Sequence, residues 1–260
     1  MRIKLKNNLE VLFGLFGVLI FSAMLILALI FSPNYLFFED YISDLAFYSG
    51  KLFFSIGFAI FGVFLVPFFI VLERELVNIN ENMRRAATVI AIITCTCFTL
   101  GSIIPEESYL NAFFYFHAFI AFFAFFNSGI YIFLFSFLMF LSLNRKDYSG
   151  PKFHIFLAVF GFITAVGDFV LILFFYPILE WFVVLSILLW IFITGIHLLK
   201  HESIRVPIVE FKRLDPSHSL ELFKVLLKKV DELQINDEIL IDAIENNINF
   251  FKNKINEHSD

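Results

Sequence analysis

Apolar runs of about 20 residues, broken by short polar stretches, recur along the chain as far as residue 199 and then stop. A helix needs roughly 20 predominantly apolar residues to cross the hydrocarbon layer of a bilayer. The pattern predicts spans over about 11–31, 51–72, 86–104, 112–143, 153–176 and 178–199. The fourth is longer than a bilayer demands, and such excess is absorbed by tilt or projection. The first follows the basic start Met1-Arg2-Ile3-Lys4-Leu5-Lys6, as a signal peptide would. Its apolar core exceeds the roughly 7–15 residues of a signal sequence, and no small-x-small cleavage site follows, so an uncleaved span is expected.

The polar breaks alternate in charge. Arg2, Lys4 and Lys6 precede the first span, and Arg74, Arg84 and Arg85 separate the second from the third. Arg145, Lys146 and Lys152 separate the fourth from the fifth, and Lys200, Arg205, Lys212 and Arg213 follow the sixth. The other three connections hold Lys51 as their one basic residue, but carry Glu39, Asp40, Asp44, Glu106, Glu107 and Glu180. Because Lys and Arg accumulate on the cytoplasmic side, both termini are expected in the cytoplasm. The acidic connections then face outward, in a multi-pass protein of the cell membrane or of an organelle membrane in a eukaryotic cell.

From about residue 202 the chain becomes soluble in character. Val206-Pro207-Ile208-Val209-Glu210-Phe211 reads as an extended linker, and Asp215 before Pro216 as a helix start. Leu220, Phe223, Leu226, Leu227, Val230 and Leu233 form one helical stripe. After Asn236, a second stripe follows through Leu240, Ile244, Ile248, Phe251 and Ile255. The expected fold is all-α: a polytopic bundle of six transmembrane helices over 1–201, with a small cytoplasmic C-terminal helical hairpin over 202–260. The hairpin either packs on itself or the basic loops, or residues 214–260 dock a protein partner or a second copy.

Composition sharpens this picture. Sixty per cent apolar residues, 17% charged and a mean hydropathy of +0.85 exclude an ordinary soluble domain. The 40 Phe are spread over every apolar run, so they read as lipid-facing bulk rather than a ligand box. Cys95 and Cys97, two apart on a helix, point to nearly opposite faces and read as buried small hydrophobes. There is no Gly-rich phosphate loop, no Walker-type lysine and no basic patch interleaved with aromatics. Nucleotides and nucleic acids are not expected partners, and no cofactor is expected.

Ionisable residues inside a span are costly and mark function by default. Asp168 lies eight residues before Tyr176, roughly 12 Å below the outer end of the fifth span. His117 lies about six residues into the fourth, roughly 9 Å below the same surface. Similar depth makes them a candidate pair: a polar clasp between spans, an acid/base pair, or a proton site. No metal is expected, and if one were bound these two would be its first ligands. Ser43, Asp44 and Glu180 join them as a candidate outward polar site, with Ser102 nearby. Glu39, Asp40, Glu106 and Glu107 read as a solvated rim. Asn111 and Asn127 read as interhelical hydrogen-bond formers. His197-Leu198-Leu199-Lys200-His201 has a metal-ligand spacing and resembles the last span of alkaline ceramidase-type hydrolases. It lies across the bilayer from His117 and Ser43, so the two histidines read as interfacial, with Trp181 anchoring the other end of that span.

Three short elements carry a family resemblance: Tyr41-Ile42-Ser43-Asp44-Leu45 after the first span, Phe116–Phe123 ("FHAFIAFF") in the fourth, and Leu179-Glu180-Trp181-Phe182 opening the last. In this order they resemble the DRAM-like (Frag/DRAM/Sfk type) six-span membrane proteins. Gly101–Glu107 ("GSIIPEE") followed by His117 is similar to a related prokaryotic six-span family of uncharacterised function. The resemblance covers about residues 10–200. It departs after Asp44, where Leu45-Ala46-Phe47-Tyr48 stands in place of a "TG" and a "PPE" element. It implies lipid handling, with Ser43, Asp44, His117 and Glu180 as the matching site positions, and implies no particular reaction.

Three functions follow as expectations. The first is binding or handling of lipid, or a lipid-linked molecule, at the outward polar site, with membrane lipids as partners. The second is a membrane-embedded hydrolase with a metal or Ser/His/Asp site. The third is a non-catalytic scaffold recruiting a partner through the cytoplasmic tail.

Overall fold

The computed structural model describes residues 2–77, 79–103, 111–145, 148, 150–202, 220–221, 223–225, 227–228 and 238–256. The described chain is helical, in the order α1 (Arg2–Ile30), a 3-10 turn (Ile42–Ala46), α2 (Lys51–Glu75), α3 (Glu81–Ile103), α4 (Asn111–Asn144), α5 (Ile155–Phe174), α6 (Pro177–Glu202) and α7 (Glu238–Asn256). Among the described residues, α1 to α6 each contain a stretch long and apolar enough to cross a membrane. The chain is a multi-pass integral membrane protein.

Local chemistry sets the helix limits. Asn80 Oδ1 accepts the Met83 N–H at 3.2 Å, so α3 starts at Glu81 instead of at the apolar edge near residue 86. His154 caps α5 by accepting the Phe156 N–H through Nδ1 at 3.2 Å. Phe175, with φ 48° and ψ 47°, ends α5 in the left-handed region, and Pro177 opens α6 two residues later.

Chain order sets the packing. Each of α1 to α5 lies against the next helix, and α6 closes the set against α1, giving a ring. Short connections make neighbours antiparallel. The Arg74–Glu10 ion pair, 2.7 Å long, accordingly joins the end of α2 to the first turns of α1. The opposite end of the bundle, which carries the α1–α2 and α5–α6 connections, is called distal below.

Two glycines allow close contact. A Cβ on Gly62 of α2 would lie 2.5 Å from the Cys95 carbonyl oxygen of α3. One on Gly161 of α5 would meet Ser136 Oγ of α4 at 1.9 Å and Trp190 Nε1 of α6 at 2.6 Å. Inside the ring, Phe69 of α2 lies edge-on to Tyr131 (4.9 Å between ring centres) and stacks on Phe135 (5.9 Å), both from α4. Since α2 and α4 are not ring neighbours, this aromatic layer crosses the interior. Outward faces stay greasy: Leu185 and Leu189 of α6 are about half exposed, while Val184, Ile187 and Leu188 beside them are buried.

The chain divides into two compact units, Met1–Ser203 and Ile204–Asp260. In the second, the described residues of 220–228 are helical and pack on α7. Phe223, Ile244 and Ile248 form a small core with Leu220, Leu227 and Ile241. The two amphipathic stripes thus bury each other. The proposed helix starts at Asp215–Pro216 and Asn236 lie outside the described residues.

Candidate functional site

The connection from Phe31 to Gly50 is a packed structure rather than an open loop. Asp40 Oδ2 accepts the Leu36 N–H at 2.7 Å and the Tyr48 hydroxyl at 2.8 Å. Tyr35 donates its hydroxyl to the Asp40 carbonyl at 3.1 Å and accepts from Trp181 Nε1 at 3.0 Å. The Trp181 indole is buried and stacks on Phe37, with ring centres 4.3 Å apart. It serves as an internal pin between this connection and α6, where an interfacial anchor was expected. Asp40, expected on a solvated rim, is half-buried within the network; Glu39 is exposed.

The segment Tyr41–Leu45 is held by two carboxylates. Asp44 Oδ2 accepts the Tyr41 N–H at 2.8 Å, closing the first turn of the 3-10 helix from within. Glu180 Oε2, reaching across from α6, accepts the Ile42 N–H at 2.7 Å, and the Ser43 N–H and hydroxyl also approach this carboxylate. Glu180 is 4% exposed, and its carboxyl group is met by the N-terminal N–H groups of the turn. The Tyr41 hydroxyl donates to the Phe175 carbonyl, whose left-handed backbone presents it to the turn. Burial holds the Asp44 carboxyl above its ordinary value; the Tyr41 N–H opposes this, and Asp40 adds to it. Burial likewise raises the Tyr35 hydroxyl.

Beneath this turn lies a cavity of about 50 Å3. Ser43, Glu180 and His117 supply its polar side, with Ser102 close by. Phe54 and Phe58 of α2, Phe98 of α3 and Phe125 of α4 supply much of the rest. Its walls come from helices on opposite sides of the ring, α3 and α6 among them, so it occupies the ring's interior. Its volume holds roughly three to five waters at about 10–15 Å3 each. Ser43, His117 and Glu180 are therefore brought together. Asp44 sits in the same turn, with its carboxylate used as a backbone cap.

Asp168 is placed elsewhere. Fully buried, it meets Ser128 Oγ at 2.9 Å, and its Cβ would lie 3.1 Å from a Cβ on Gly129. Ser128 and His117 share a face of α4, but eleven residues separate them, roughly 16 Å along the axis. The expected equal depth of Asp168 and His117 counted each from its own helix end. Those ends do not coincide: α4 has 34 residues against 20 in α5, and its first turns extend past the distal end of α5. Asp168 thus joins α5 to α4 as a deeper clasp, separate from the cavity.

Of the remaining candidates, Glu106 and Glu107 lie outside the described residues, as does the side chain of Asn111. Asn127 donates to the Phe123 carbonyl of its own helix at 2.7 Å rather than to a neighbour. His197 packs its ring on Phe153, with centres 5.1 Å apart. Among the described residues no group of three His, Cys, Asp or Glu side chains is placed to hold a metal. Cys95 is buried, while half-buried Cys97 lines the cavity. Phe58, Phe98 and Phe125 were not foreseen as cavity residues, since no local signal separates them among 40 Phe. Tyr35 and Tyr48 were missed too, although their place in an acidic connection was a usable hint.

No protein-family model, curated protein or solved structure matches the chain.

Proposed function

We propose that this protein binds a lipid, or a lipid-linked molecule, at its distal end, with part of the polar head group seated in the distal cavity and the distal end facing away from the cytoplasm. One observation carries the reading: a single cavity joins a polar end, formed by Ser43, His117 and Glu180, to walls of Phe54, Phe58, Phe98 and Phe125. An amphipathic lining matches a molecule with a polar head and an apolar tail, and neither a fully polar solute nor a hydrocarbon alone. The Lys and Arg bias of the opposite connections supports an outward-facing distal end. The three short motifs resembling DRAM-like proteins agree with lipid handling, since Ser43, His117 and Glu180 fall within them. The test is mass spectrometry of lipid retained by the full-length chain through detergent exchange, with A124F filling the cavity from its wall at Ala124. Retention by wild type and loss in A124F support the reading; no retained lipid overturns it.

A second reading has its own observation: a serine, a histidine and a carboxylate line the same cavity. In a hydrolase, His117 would take the proton of Ser43 as it attacks an ester carbonyl, and an acid would orient the imidazole. The Glu180 carboxylate instead serves the Ile42 and Ser43 groups of the turn, which favours binding. Ester hydrolysis by wild type that vanishes in both S43A and H117A would establish the hydrolase.

A further inference from the structure

Ser128 of α4 has one hydroxyl hydrogen and two oxygen neighbours. Its Oγ lies 2.8 Å from the Phe125 carbonyl oxygen and 2.9 Å from Asp168 Oδ1 of α5. Both separations are those of O–H···O hydrogen bonds, so a hydrogen belongs in each. A serine supplies one hydrogen, and an ionised carboxylate supplies none. The second oxygen of the acid, Asp168 Oδ2, is buried and has no hydrogen-bond partner. Nor is a cation at hand. Asp168 is the only Asp, Glu, Lys, Arg or His in α5. At this level α6 presents Phe182 and Val183, which a Cβ on Gly167 would meet at 3.2 and 3.4 Å. From α4 come Gly129 and Tyr131, and Tyr131, which senses Asp168 electrostatically, bears no positive charge. Among the described residues no Lys, Arg or His acts on the carboxyl.

We infer that Asp168 is a proton-binding site inside the membrane, occupied as the neutral acid. Its O–H donates from Oδ1 to Ser128 Oγ, and the Ser128 O–H donates to the Phe125 carbonyl. Each contact then holds one hydrogen, and Oδ2 is the carbonyl oxygen of an uncharged group. The ionised alternative leaves one contact without a hydrogen. It also leaves a full negative charge unpaired six residues before the end of α5 at Phe174, roughly 9 Å into the span. An unpaired charge at that depth costs far more than an unpaired carbonyl oxygen. The bound proton is therefore the hydrogen that joins α5 to α4 at this clasp. The site is separate from the distal cavity and stands whether or not a lipid binds there.

The test is infrared spectroscopy of the full-length chain in phosphatidylcholine nanodiscs at neutral pH. A protonated carboxyl has its C=O stretch above the amide I band, whereas an ionised one absorbs below it. The wild-type spectrum minus that of D168N is expected to show the protonated band. Carboxylate absorption in that difference, or no band in the protonated region, overturns the proposal. S128A is a second measurement that does not depend on the folding of D168N. Removing the acceptor of the acid's O–H weakens its hydrogen bond, so the protonated band should move to higher frequency. A protonated-carboxyl region identical in wild type and folded S128A contradicts the assignment.

Discussion

Glu180 Oε2 accepts the backbone N–H of Ile42 at 2.7 Å, linking a carboxylate near the start of α6 to a turn 138 residues earlier. The contact roofs the cavity, because it fixes Ser43 over the ring interior. Removing the acceptor in E180A leaves a buried N–H without its partner, a loss of about 1–3 kcal/mol. E180Q retains a carbonyl oxygen for Ile42 and should lose less. Thermal unfolding of the full-length chain in detergent should rank wild type above E180Q and E180Q above E180A. Equal midpoints for all three would remove Glu180 from the turn's support.

Asp44 gives a pH signature opposite to that of most native carboxylates. Burial raises its folded value above the ordinary 3.8, so the folded state keeps the proton after the unfolded state has released it. Stability contributed by this group therefore falls as pH rises from 3.8 to the raised value, and is level beyond it. D44N removes the titration. The difference in unfolding midpoint between wild type and D44N should shift against wild type across that interval; a constant difference would refute the assignment.

The α2–α3 contact depends on absence of a side chain at Gly62. G62A drives a methyl against the Cys95 carbonyl, which is backbone and cannot turn away, so the helices must part. The expected loss is about 1–3 kcal/mol. Gly101 is the control, since its Cβ would first meet Ile120 Cγ2 at 3.6 Å, an ordinary contact. Unfolding midpoints should drop for G62A and hardly move for G101A.

Six membrane helices were legible because a span needs a long apolar run, and nothing else in the chain imitates one. Their ends were less legible where polar residues continue a helix, as at Glu81–Arg85 after the Asn80 cap. The site was legible by residue type and only partly by geometry. Ser43, His117 and Glu180 stood out as polar groups at one end of the spans, and they share a cavity. Asp168 stood out equally, yet its depth depends on how α4 and α5 are staggered, which no local pattern encodes. The backbone-capping roles of Asp44 and Glu180 were hidden for a similar reason: a short 3-10 turn has no periodic signature, and its partner on α6 is distant in sequence.

The central claim is that the distal cavity engages the head of a bound lipid, and comparing wild-type chain with A124F tests it most directly. Both proteins are purified in the same detergent, exchanged extensively, and extracted for mass spectrometry. The account predicts a lipid species enriched over bulk membrane composition in wild type and absent from folded A124F. Extracts that match bulk membrane lipid, or that do not differ between the two proteins, would contradict it.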